Sequence, residues 1–125
     1  MKRNRPINLP LSQVISVNRS PIAIASILHR ISGIVLFLLI PVMLWLLQNS
    51  LASPESFETV FDNVFIRFLA WIFVAAIAYH FVMGVKHLFA DNGQNEELQS
   101  ARMASVVSLV IAAILIVASF VWVMF

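Results

Sequence analysis

Three apolar runs divide the chain. The first extends from Pro21 to about Leu47 and is interrupted only by the pair His29-Arg30. The second, from about Val64 to Leu88, carries Arg67, His80, Lys86 and His87, and the third, Met103 to Phe125, has no ionisable side chain. About 20 helical residues cross the ~30 Å hydrocarbon layer of a bilayer, and each run is long enough to do so. The pattern predicts an all-α integral membrane protein with three transmembrane helices. Residues 1–20 are expected to form a cytoplasmic N-terminal segment, and 21–125 a single membrane domain with helices over about 21–49, 64–91 and 101–125.

Local signals mark the helix ends. Ser20 before Pro21, and Ser53 before Pro54-Glu55, pair a capping hydroxyl with a proline in the first turn, and Asn92-Gly93 after Asp91 is a stop. After Ser53, Phe57, Val60, Phe61, Val64 and Phe65 recur at spacings of three and four, which predicts a short amphipathic helix lying in the interface. Pro41 falls inside the first span and is expected to kink it, a defect that packed membrane helices tolerate. Ala101, Ser105, Ser108, Ala112 and Ser119 form a small-residue stripe on the third span, the usual mark of close helix packing. A secretory signal peptide would have a shorter apolar run and a cleavage site; the first run is too long and contains His-Arg. A transit sequence is not expected either, since the first apolar run begins within about twenty residues of Met1.

Charge then orients the chain. Lys2, Arg3, Arg5 and Arg19 precede the first span with no acid among them; Glu55, Glu58 and Asp62 occupy the first loop; Lys86 and Arg102 flank the second. Basic loops stay cytoplasmic, so the N-terminus and second loop are expected inside, and the first loop and C-terminus outside. Composition agrees with the class: 61% of the 125 residues are hydrophobic and 11% charged, against about 45–50% and 25% in soluble chains. Such a surface excludes a soluble enzyme. With no cysteine, the chain has no disulfide, no thiolate catalysis and no cysteine-held zinc or iron–sulfur cluster of its own. A net charge of +2 is too small to argue for nucleic acid.

Candidate chemistry rests on ionisable residues at membrane depth, where burial is costly and a partner is the rule. At 3.6 residues per turn, Ser26, Arg30 and Gly33 fall within about 60° of one another with His29 on their flank. Arg30, roughly 12 Å in from Pro21 at 1.5 Å per residue, can snorkel to the headgroups. Grouped with an imidazole and a hydroxyl, it can also supply donors to a buried anionic or carbonyl group. His80, Gly84 and His87 form a second stripe. His80 lies about 15 Å from the cytoplasmic end; it is either a structural histidine bonded to a neighbouring helix or an axial haem ligand, with Gly84 letting a flat macrocycle approach the backbone. His87 near the interface needs no special role. Three helices cannot enclose a porphyrin, so a haem would require further helices from another chain, making this one part of a multi-subunit bundle. His29 could be the second ligand, although counting residues places it several Å shallower than His80.

Arg5-Pro6, the run Ser26-Ile27-Leu28-His29-Arg30-Ile31-Ser32-Gly33, and His80 to Gly84 followed by Val85-Lys86-His87-Leu88 and Asp91-Asn92-Gly93 resemble the motifs of the cytochrome b membrane-anchor subunit of succinate dehydrogenase. The resemblance covers the whole chain. Lys86 stands where that family usually has Arg, which loses the guanidinium fork, and Ala90 where it usually has an aromatic residue or Met. The resemblance implies a bacterial inner-membrane subunit that binds haem b and ubiquinone with a second small anchor, beneath a flavoprotein and an iron–sulfur subunit. It implies transfer of electrons from the iron–sulfur subunit to quinone, linking the tricarboxylic acid cycle to the respiratory chain, with no catalysis by this chain alone. His80 would ligate the haem iron, Ser26 and Arg30 would line the quinone site, and His29 and Arg30 would lie against the haem propionates. The alternatives are a purely structural anchor of another membrane complex, or a fumarate reductase anchor. A small transporter fits least, since no span has the paired Gly/Pro interruptions expected of one.

Overall fold

A computed structural model describes residues 10–125. Within them the chain forms α1 (Leu11–Val17), α2 (Pro21–Ser50), α3 (Pro54–Asp62), α4 (Val64–Asp91) and α5 (Leu98–Met124), with no strand. Helices α2, α4 and α5 are long and apolar enough to cross a membrane. Arg5-Pro6 and the basic residues Lys2 and Arg3 lie outside the described residues.

The ends of the helices follow from side-chain chemistry. Ser20 Oγ accepts from the Ala23 amide at 3.2 Å, Ser53 Oγ from the Ser56 amide at 3.0 Å, and Asn63 Oδ1 from the Phe65 amide at 2.9 Å. Each satisfies an N–H that the first turn leaves without an intrahelical partner. At the end of α4 the Gln94 amide donates to the Phe89 carbonyl and the Gly93 amide to that of Ala90, both at 3.0 Å. This is the Schellman arrangement, and it needs the left-handed φ of +80° that Gly93 supplies. Helix α2 runs through Pro41 without a break, losing one backbone bond there. Helix α5 starts at Leu98, one turn ahead of its apolar run.

Helix α4 packs on both other spans, most extensively on α5. Ser105, Ala112 and Ser119, seven residues apart on α5, are buried. The spacing of seven keeps one seam facing α4, and small side chains there let the backbones approach. Met83, fully buried, fills the seam together with Tyr79, Ala25 and Ala112. The serine hydroxyls are satisfied inside their own helix, Ser105 by the Ala101 carbonyl at 2.9 Å and Ser119 by that of Ile116 at 2.7 Å. Trp71 Nε1 crosses to the same Ile116 carbonyl at 3.2 Å, and Arg67 Nη1 reaches the Met124 carbonyl at 3.3 Å.

Little else is buried. The accessible surface is 9530 Å², against roughly 6,700 Å² for a compact soluble monomer of this mass. Most large apolar side chains of the three spans point outward, where lipid or other helices must cover them.

Candidate functional site

Between α2 and α4 the chain gathers its three histidines. The His29 and His80 rings stack nearly parallel, 15° apart in plane with centroids 4.1 Å apart. His87 meets His29 edge-on at 5.1 Å. The His80 ring lies against Ser32 and Gly33, deeper along α2 than His29, and the His29 ring faces Gly84 and His87, nearer the end of α4, so His29 is the ring closer to the Pro21 and Asp91 ends.

A short hydrogen-bond chain holds His80. Ser32 Oγ donates to the His29 carbonyl at 2.6 Å. His80 Nδ1 lies 2.9 Å from Ser32 Oγ and 3.2 Å from the same carbonyl. A carbonyl only accepts, and the serine proton is committed to it, so the ring proton of His80 sits on Nδ1 and points at two acceptors. Nε2 keeps its lone pair. The neighbouring residue repeats the contact one turn away: Tyr79 Oη donates to the Ala25 carbonyl at 3.0 Å. Consecutive side chains of α4 thus grip α2 carbonyls four residues apart, which sets both the rotation and the axial register of the two spans.

The glycines of the two motifs make room for this. A Cβ on Gly33 would stand 3.2 Å from His80 Cε1, tighter than an ordinary contact, and one on Gly84 would stand 3.9 Å from His29 Nε2. Gly84 therefore faces the His29 ring, while Gly33 admits His80. Ser26 and Arg30 lie one turn apart on α2, Ser26 half-buried and Arg30 exposed, and neither takes part in the hydrogen-bond chain. Lys86 is half-buried and lines a groove of about 360 Å³ between α4 and α5. Ala90 is exposed. A larger apolar groove of about 440 Å³ opens among the three spans, with Ser32 and Tyr79 in its wall beside Leu28, Ile31, Ile72 and Ile116.

Three contributors were not legible as such. Ser32 sits within the first motif and Tyr79 immediately before His80, but only the helix pairing turns them into partners. His87 joins the cluster through His29.

Three apolar spans with imidazoles packed between two of them define a polytopic membrane protein. Residues 1–119 match the family model described as succinate dehydrogenase/fumarate reductase transmembrane subunit, and the chain belongs to that family. It is 38% identical over 127 aligned residues, covering 98% of this chain and 99% of the relative, to the succinate dehydrogenase cytochrome b556 subunit of Coxiella burnetii (strain RSA 493 / Nine Mile phase I). It is 34% identical over 124, covering 92% and 95%, to the subunit of the same name from Paracoccus denitrificans.

Proposed function

We propose that this chain is the cytochrome b anchor of a bacterial inner-membrane succinate dehydrogenase. It binds haem b jointly with a second small anchor subunit and carries electrons from an iron–sulfur subunit, itself fed by a flavoprotein, to ubiquinone. The observation that carries the reading is His80. Its Nδ1–H is tied to α2 and its Nε2 lone pair is free, the state in which an imidazole ligates a metal. His80 would hold a haem iron from this chain, with a further ligand supplied by the second anchor. Haem b, when bound, supplies a one-electron carrier within the bilayer. The name cytochrome b556 of the two relatives supports that cofactor here.

The remaining residues act on charge. Arg30, always protonated, and the His29 ring offer donors to the propionates. Ser26 and Arg30, on one face of α2, offer a hydroxyl and a cation to a quinone carbonyl oxygen as negative charge develops on it. Such donors act most strongly where water is excluded. Arg19, ahead of α2, and Arg102, early in α5, belong to one end of the bundle, whereas Glu55, Glu58 and Asp62 lie on α3 at the other. By the basic-loop rule this supports a cytoplasmic N-terminus and periplasmic C-terminus. The fumarate-reducing direction remains the alternative within the family; both relatives carry the succinate dehydrogenase name.

Two readouts on the purified complex test this. A reduced-minus-oxidised difference spectrum of b type is expected, and a colourless complex would favour a purely structural anchor. Arg30→Leu is expected to cut quinone reduction by roughly tenfold or more, the scale of losing one charge-assisted hydrogen bond of about 1.5–3 kcal/mol, while succinate oxidation by an artificial acceptor persists. Equal loss of both activities would place Arg30 in assembly instead.

A further inference from the structure

We infer that Ser32 is a positioning residue which sets the tautomer and donor strength of the His80 imidazole, and through it the midpoint potential of the haem. The inference rests on the proposed ligand role of His80 and goes beyond it.

Ser32 is 7% exposed, so its hydroxyl must find its partners inside the protein. It has two, and their order is dictated. The proton goes to the His29 carbonyl at 2.6 Å, because a carbonyl cannot donate. The oxygen's lone pair is left for His80 Nδ1 at 2.9 Å. In a donor chain of this kind each bond polarises the next: a serine oxygen whose proton is already pulled away is a better acceptor for the imidazole N–H. Away from water, no solvent replaces that acceptor. The His29 carbonyl itself is the poorer partner of Nδ1, at 3.2 Å, and already accepts from Ser32.

Pulling on the Nδ1 proton moves electron density toward Nε2, making the ring a stronger donor to iron. A stronger donor favours the ferric over the ferrous state and lowers the potential; hydrogen bonding to a ligand is one of the levers by which proteins tune haem. The adjoining residue, Gly33, is the complement of this device. It lets His80 approach so closely that a methyl group there would crowd Cε1 at 3.2 Å. The stacked His29 ring restrains the imidazole plane from one side, and the Tyr79 bond to Ala25 holds the register that brings Nδ1 to Ser32.

Redox titration of the haem in the assembled complex tests this, with Ser32→Ala, Ser32→Thr and the ligand control His80→Leu measured together, and assembly followed by succinate oxidation with an artificial acceptor. Ser32→Ala is expected to raise the midpoint potential and change the low-spin electron paramagnetic resonance signal. Ser32→Thr, which keeps the hydroxyl, is expected to leave both close to the parent. Should Ser32→Ala lose haem while Ser32→Thr retains it, the positioning role is supported as well. If His80→Leu removes the b-type spectrum yet Ser32→Ala titrates like the parent, the Ser32 role is overturned and the ligand assignment stands. A parent-like spectrum in His80→Leu overturns the ligand assignment itself, and the Ser32 role with it. Loss of haem in Ser32→Ala and Ser32→Thr alike would show that the hydroxyl is not what matters, and would also overturn the inference.

Discussion

Gly33 shows how little space the histidine cluster leaves. Gly33→Ala would place a methyl carbon 3.2 Å from His80 Cε1, and the ring would have to yield by a few tenths of an ångström. Overpacking of this kind costs about 1–3 kcal/mol. The expected result is an assembled complex that keeps haem but melts at lower temperature, while the larger Gly33→Val loses haem; unchanged melting in both would mean the ring can move freely. At this scale the sequence was informative about which residues matter and silent about their pairing. His29, Arg30 and His80 are recognisable because ionisable groups at membrane depth need partners. The bonds from Ser32 and Tyr79 depend on the rotation and axial offset of α4 against α2, which neither helix encodes alone.

The three spans are the most legible elements, because twenty or so consecutive apolar residues have few other uses. The seam of Ser105, Ala112 and Ser119 was visible as part of a small-residue stripe, and it is where α5 meets α4. Helix α1, two turns after Pro10 in a segment without a long apolar run, was not read from the sequence. Two substitutions test the α4–α5 pairing. Trp71→Phe removes the donor to the Ile116 carbonyl and is expected to lower stability by on the order of 1 kcal/mol, the scale of interhelical bonds in membranes. Ala112→Leu, by contrast, puts a branched side chain where a buried alanine packs with Tyr79 and Met83 of α4 and is expected to block assembly, seen as loss of the subunit from the purified complex. Tolerance of Ala112→Leu would mean that α5 is held elsewhere.

For the molecule as a whole, the surface is the informative quantity. With five hydrophobic residues buried among those described, this subunit resembles a slice of a larger bundle, and its separation from partner helices is expected to leave it aggregation-prone outside detergent. Its charge asymmetry carries a topological expectation: alkaline phosphatase fused after Phe125 should be active, and a green fluorescent protein fused there through the same export route dark; the reverse pattern would invert the orientation. The scarcity of charge, which first marks the class, ends as a pointer to function, because the three histidines, with Ser32 and Tyr79, are the polarity that α2 and α4 bring together.

The ligand role of His80 is most directly tested by the reduced-minus-oxidised spectrum of the assembled complex carrying His80→Leu. Loss of the b-type bands is expected, with succinate oxidation by an artificial acceptor retained. An unchanged spectrum would contradict the assignment of His80 as the haem ligand.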